Sequence, residues 1–445
     1  METTQRRPAG MVAFTIIWIG QIVSLLGTAM SQFGLTLWAY QVTGKATPLA
    51  LVGFFFLVPM VVLGPFVGVL VDRSNRKLMM MLSDLAAAFT TAIVLVLYAT
   101  DNLQIWHLYV TSTITGTFQG FQWPAYSAAI TLMLPKEQYA RANGMLEMAG
   151  NASYVFAPIL AGALIGPFKL TGILILDLVS AVVAVGTLLF VHIPQPPKTE
   201  AGREGAGGFW KEMAYGFRYI LARPSLLGLQ TVFLVGNFFS HLAFGVLAPM
   251  ILGRTGSDEL VFGSVQSAGA IGGVVGSLAM SAWGGPKRRV HGVLLGWVCA
   301  GLLGQMVLGL GQTLPVWAAG LFLLAFFSPL INGSNQAIWQ AKVAPDVQGR
   351  VFATRATIAW LVMPLGQLLA GPLADHVLEP AMAEGGSLAP IFGWLVGTGK
   401  GAGIGLQFAV TGLLAALAGL GGYLFPMVRN AEDIMPDHDV FAQET

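Results

Sequence analysis

The sequence predicts an all-α polytopic membrane protein of twelve transmembrane helices in two pseudo-symmetric bundles of six, and three observations lead there. Of 445 residues, 55% are hydrophobic and only 10% charged, against about 25% charged in soluble domains. Asp, Glu, Lys and Arg are missing from the 37 positions between Arg7 and Lys45, the 34 between Asp101 and Lys136 and the 52 between Arg289 and Lys342, while about 20 apolar residues cross a bilayer. The chain also resembles itself: Arg141 followed by Leu160-Ala161-Gly162 returns 209 positions later as Arg350 followed by Leu369-Ala370-Gly371, each bracketing a proline-containing span. Leu134-Pro135-Lys136 likewise matches Ala344-Pro345-Asp346. This is the trace of a duplicated six-span unit whose copies face each other across a central site near the bilayer midplane.

Cutting the apolar stretches at charges and at Gly/Pro/Asn turns gives spans 1 to 12 at 11–39, 47–71, 78–99, 104–134, 143–168, 171–193, 224–253, 260–283, 291–311, 314–341, 351–374 and 400–427. With both termini in the cytoplasm, 19 of the 23 Lys and Arg residues fall inside, leaving Lys45, Lys169, Arg254 and Lys400 outside. The positive-inside rule therefore predicts a multi-pass protein of the cell's inner (plasma) membrane with both ends cytoplasmic. Residues 1–193 form the first bundle, 194–223 a cytoplasmic linker, 224–428 the second bundle and 429–445 an acidic cytoplasmic tail. The linker is Pro/Gly-rich and then amphipathic. Phe209, Trp210, Met213, Phe217, Ile220 and Leu221 share one helical face, with Lys211, Glu212 and Arg218 elsewhere, as for a helix lying on the inner membrane surface. The tail, with Glu432, Asp433, Asp437, Asp439 and Glu444, reads as solvated.

A net charge of +2 with scattered basic residues offers no nucleic-acid footprint. The single Cys299 can build neither a disulfide nor a thiolate metal site, and it reads as a packing residue. The six histidines lack metal spacing, and no catalytic signature appears, so no enzyme, metal or cofactor is expected. Gly399-Lys400-Gly401-Ala402-Gly403-Ile404-Gly405 imitates a nucleotide loop but has no Ser or Thr after its lysine and no preceding strand. An ion gradient is therefore the expected energy source, and a monomer the expected state.

Span 2 leads into the loop segment Gly68-Val69-Leu70-Val71-Asp72-Arg73-Ser74-Asn75-Arg76-Lys77. This resembles the G-x-L-x-D-R-x-x-R-K loop signature of the major facilitator superfamily, at the place between spans 2 and 3 where that family carries it. The second-half loop, Trp283-Gly284-Gly285-Pro286-Lys287-Arg288-Arg289, keeps the basic cluster and lacks the acid. Leu373-Ala374-Asp375-His376, Glu379-Pro380 and Arg429-Asn430-Ala431-Glu432-Asp433 are similar to the drug:proton antiporter branch with macrolide-efflux-like and siderophore-exporter-like members. The antiporters' G-x-x-x-G-P-x-x-G-G stretch is altered here, with Ser153, Ala157 and Ala161 replacing three glycines. In the loop, Gly68 permits close helix approach, and Asp72 can sit against the positive amino end of span 11. Arg73, Arg76 and Lys77 can bridge to neighbouring helices or lipid phosphates. Together with Arg141 and Arg350 they form the expected conformational latch.

The resemblance implies a cavity lined mainly by spans 1, 4, 7 and 10, and those spans carry polar stripes. They are Gln21, Ser24, Thr28 and Ser31 or Gln32 in span 1; Gln119, Gln122, Trp123 and Tyr126 in span 4; Asn237, Ser240, His241 and Phe244 in span 7; and Asn332, Asn335, Gln336 and Trp339 in span 10. Asn151 of span 5 joins them. Each amide could instead bond between helices. An aromatic, mostly uncharged wall suits a hydrophobic or amphipathic small molecule. Proton coupling needs a carboxylate buried in the membrane. Glu147 leads the candidates because it shares a helix face with Asn151, followed by Asp177, Asp84 and His241; Asp375 is nearer the outer end of span 11. Arg355 either anchors the cytoplasmic gate or snorkels. The expected function is export of drug-like or natural-product molecules by alternating access in exchange for protons. A siderophore exporter, a lipid flippase and an importer share these features, and a non-transporting receptor or scaffold is the rival from another class.

Overall fold

In the computed structural model the described residues are 10–43, 47–196, 207–256 and 258–438, and every regular element among them is a helix. Span 1 is Gly10–Thr43. Span 2 is broken into Thr47–Val62 and Gly64–Arg73, bent by 56°. Pro65 opens the second piece; it lacks an N–H, and its ring excludes the carbonyl one turn back. Span 3, Arg76–Ala99, starts at Asn75, whose side chain accepts from the Lys77 and Leu78 amides. Span 4 is Ile105–Met133. Spans 5 and 6 share one helical run, Tyr139–Phe190, divided where Lys169 takes a positive φ of 56°.

In the second half, span 7 comprises Pro224–Phe244 and Leu247–Thr255, and span 8 is Glu259–Trp283. Span 9 starts at Arg289 and passes through a π-helical turn at Ala300–Met306 before ending at Leu310. Span 10 is Leu314–Lys342, span 11 Gln348–Leu373 and span 12 Ala402–Leu424. Spans 4 and 10 are both 29 residues long and start 209 positions apart, as do spans 5 and 11. Gln336 donates to Ser127, again at an offset of 209, so image positions of the two halves meet on their shared axis.

The apolar cores locate the seal between the halves. One cluster joins Phe14, Ile17, Val71 and Ile130 of the first half to Met280, Ala337 and Ala341 of the second, at the end that carries the linker. Towards the opposite end the clusters stay within one half, as with Ala39, Val94, Leu108 and Leu174, or Leu242, Met250, Trp317 and Phe408. Large apolar side chains such as Val182, Phe190, Leu260 and Leu424 stand exposed on the outside, where only hydrocarbon satisfies them.

The linker helix, Phe209–Leu221, lies against the joined end. Trp210, Phe217 and Leu221 face outward, while Glu212, Tyr215, Gly216, Tyr219 and Ile220 are buried against protein. Of the linker and the two ends, residues 1–9, 197–206 and 439–445 lie outside the described residues, as does the side chain of Phe209.

Candidate substrate cavity and linker-end latch

The latch grows from the proximity of spans 2 and 11. A Cβ on Gly68 would stand 2.6 Å from the Gly349 carbonyl and 2.8 Å from Ala353 Cβ, so only glycine lets these backbones approach. One turn on, Asp72 is placed at the first turn of span 11. Its Oδ1 accepts from the Gly349 amide at 2.7 Å, and its Oδ2 accepts from the Arg350 amide at 2.9 Å and Arg350 Nε at 3.0 Å. Arg76 Nη2 lies 3.5 Å from Asp72 and donates to the Pro345 carbonyl at 3.1 Å. A helix amino end, a buried carboxylate and two guanidiniums thus form one charge-assisted junction. Arg73 instead donates to Glu212 of the linker helix at 2.8 and 3.0 Å. These bonds, first among the causes, hold the Glu212 carboxyl below its ordinary range. Lys77 caps carbonyls of Leu189 and Val191 at the end of span 6. Arg141, the repeat partner of Arg350, is exposed.

A buried amide network continues the seal. Asn143 donates to Gln340 at 2.7 Å, Gln340 to the Ser127 carbonyl at 3.0 Å, and Thr131 to Gln348 at 2.9 Å. The tail, expected to be solvated, docks here: Asp437 pairs at 2.9 Å with Lys136 of the first half and with Lys342 of the second, and Asp433 pairs with Arg288. Opposite charges on the two halves outweigh hydration of the tail. Desolvation raises the Asp437 carboxyl, but the bonds from both lysines prevail and leave it below its ordinary range.

One helical turn above this junction is a cavity of about 300 Å³ between the halves, lined by spans 2, 4, 5, 7, 10 and 11. Met60, Val61, Trp123, Leu146 and Phe233 supply apolar surface, and Gln119, Asn332, Gln336, Glu147 and Arg355 supply polar groups. Glu147 faces Asn332 across the junction of the halves. Arg355 is 7% exposed, donates through Nη1 to Gln336 Oε1 at 2.6 Å, and has its guanidinium over Trp339, 5.1 Å from the ring centre.

Of the stripe residues, Gln119, Trp123, Asn332 and Gln336 line this cavity, and the others lie elsewhere. Gln21 and Gln122 donate to Asp84 at 2.8 and 3.2 Å, and Thr28 donates to Asp177 at 2.9 Å, opposite Thr91 at 3.0 Å. These two acids are thus satisfied by neutral donors inside the first half. Ser24 and Tyr126 are buried, Tyr126 beside Phe14, and Gln32 is exposed. Asn151 donates to Ser277 of span 8 at 3.0 Å, and Asn237 to the carbonyl one turn back in its own helix. His241 packs against Gly366, and Phe244 stands edge-on to Phe408. Trp339 is fully buried and donates to Asn335 at 3.1 Å.

The expected uncharged wall is therefore corrected. A glutamate and an arginine, Glu147 and Arg355, line the cavity, and spans 2, 5 and 11 contribute where span 1 does not, because span 1 spends its polar face on Asp84 and Asp177. Sequence reasoning assigned Arg355 to the gate or to snorkelling, and it missed Gln340, although that residue extends the Asn332–Gln336 stripe by another four positions.

Two like helical halves sealed at one end around a cavity with polar anchors define a polytopic membrane transporter. The sequence model of the Major Facilitator Superfamily matches residues 17–367, and the chain belongs to that family, whose members are transporters rather than enzymes. Among relatives, Macrolide efflux protein A of Streptococcus pyogenes is 27% identical over 372 residues, covering 82% of this chain and 90% of that protein. Multidrug efflux pump Tap of Mycolicibacterium fortuitum is 25% identical over 390 residues, covering 84% and 91%. Among solved structures, the human organic anion transporter MFSD10 (TETRAN) superposes with a TM-score of 0.64 at 16% identity, over 93% of this chain and 100% of that one. A bacterial homologue of the iron transporter ferroportin gives 0.66 at 14% identity, over 92% and 98%.

Proposed function

We propose that the protein exports hydrophobic or amphipathic small molecules by alternating access in exchange for protons, acting as a monomer. The linker end, rich in Lys and Arg, is assigned to the cytoplasm, so the described conformation is closed to the cytoplasm and holds its cavity towards the outside. The observation that carries the reading is the placement of the cavity one turn above a seal made of hydrogen bonds between the halves, with Glu147 at their junction. Rocking the halves would break the junction and carry the cavity to the other side. Glu147 is the proton carrier in this scheme: cargo leaves as a proton arrives, and the proton is released to the cytoplasm when cargo returns to the site. Asp84 and Asp177, satisfied within one half, hold helices together. The relatives named for macrolide and multidrug efflux support export as the direction and drug-like molecules as the cargo.

The test is a drug-accumulation panel in a pump-deficient host, with and without an uncoupler, where protection should vanish on uncoupling. In inverted vesicles Glu147→Gln should abolish substrate-driven proton movement at normal expression, and unchanged proton flux would remove Glu147 from this role.

A further inference from the structure

We propose that the cavity is built for amphipathic cargo bearing an acidic and a basic group together, the acidic group held by Arg355 and the basic nitrogen by Glu147. The inference deepens the transport reading and rests on it for its physiological meaning.

Both side chains line the cavity, and no ion pair engages either one among the described residues. Each is held by its own amide of span 10: Glu147 faces Asn332, and Arg355 donates to Gln336 Oε1. Those amides are four residues apart, about 6 Å along the helix. The two groups are thus anchored at different levels of span 10, Glu147 from the first half and Arg355 from the second, and both line the same cavity. Gln336 takes one of the five N–H donors of Arg355. A guanidinium so buried is costly until an anion completes it, and Trp339 and Phe233 offer only ring faces. Met60, Val61, Trp123 and Leu146 would take the apolar body. An ammonium on Glu147 also requires the ionised carboxylate, so cargo and proton exclude each other, as exchange demands.

The probe is Nε-dansyl-lysine, an apolar fluorophore bearing a free amine and a free carboxylate. It is compared with its methyl ester, which keeps only the amine, and its Nα-acetyl form, which keeps only the acid. Binding is read as dansyl fluorescence on purified protein in nanodiscs at pH 7.5 with no gradient. Wild type should bind the parent at least tenfold more tightly than either blocked form. Arg355→Gln should bind parent and ester alike, Glu147→Gln should bind parent and acetyl form alike, and Arg355→Lys should keep part of the preference over the ester. Equal wild-type affinity for the parent and either blocked form, no binding of the parent, or a full preference surviving in Arg355→Gln would overturn the proposal. The wild-type ligand series decides the matter even where Arg355→Gln does not fold. Loss of gradient-driven export with the preference intact would sink only the transport reading.

Discussion

Replacing Asp72 by asparagine preserves shape while removing the charge that joins spans 2 and 11. The carboxylate accepts from the Gly349 amide, the Arg350 amide and Arg350 Nε, at 2.7, 2.9 and 3.0 Å. Its side chain is 1% exposed, as are those of Arg76 and Arg350 to only 2% and 7%, so the loss is not repaid by water. Asparagine offers one acceptor oxygen and turns an NH2 towards donors. Breaking a buried pair from one side costs about 3–5 kcal/mol. Taking about 3 kcal/mol, at about 1.4 kcal/mol per tenfold, the closed state loses roughly 100-fold against the open one. Spin labels at Glu137→Cys and Lys287→Cys, exposed positions on the two halves, would read this in a Cys299→Ser background. The distance distribution should be short in wild type and dominated by a longer component in Asp72→Asn, with slowed turnover and little change in cargo affinity. An unchanged distribution would refute the assignment of Asp72 as the pivot of closure.

Gly68→Ala should cut transport at least tenfold at normal expression, because the new methyl meets the Gly349 carbonyl at 2.6 Å and Arg350 Cα at 2.9 Å, both backbone; normal transport would mean the spans need not approach so closely. Asp437→Asn should be mild. Its side chain is 32% exposed, the buried Lys342 keeps the Glu432 and Met435 carbonyls as acceptors, and pairs open to water are worth about 0–1 kcal/mol, so the same labels should show a shift of less than about fivefold; a larger one would make the tail the principal seal. The Glu212–Arg73 clamp should be insensitive to pH between 8 and 5. Arg73 holds the Glu212 carboxyl below its ordinary 4.5, so its contribution is complete above that value and fades only as pH falls through the depressed one. Labels at Arg218→Cys and Glu137→Cys separating between pH 7 and 5 would contradict this.

Most residues of the expected latch could be picked out because their chemistry is local: a glycine, an acid and three basic groups within ten positions can be read without knowing what they face, whereas Arg141, included as the repeat partner of Arg350, stands exposed outside the junction. Glu147 could be singled out as a candidate because an acid deep in an apolar span demands an explanation, and it lines the cavity. The cavity wall was harder. The periodicity of Gln21, Ser24 and Thr28 reports a polar face on span 1, but a polar face can turn to a cavity or to a neighbouring acid with equal periodicity, and here Asp84 and Asp177 claim it. For Arg355 the structure excludes snorkelling and leaves the gate reading open, and the sequence could not choose between them: near a span end, an arginine able to snorkel and one turned inwards over Trp339 have the same sequence surroundings. The tail was misread because its partners, Lys136 and Lys342, are 301 and 95 positions away.

The contact of Ser127 with Gln336 carries an ancestral consequence. Positions at the duplication offset would have held the same residue when the gene encoded a single half, so an ancient dimer set like against like on its two-fold axis. The present pairing sets an amide donor on one copy against a hydroxyl acceptor on the other, an unlike pair that arose after the copies diverged. Co-expressed first and second halves should therefore reassemble with each other, whereas two first halves would set two short hydroxyls where one side of the contact now has the longer reach of an amide.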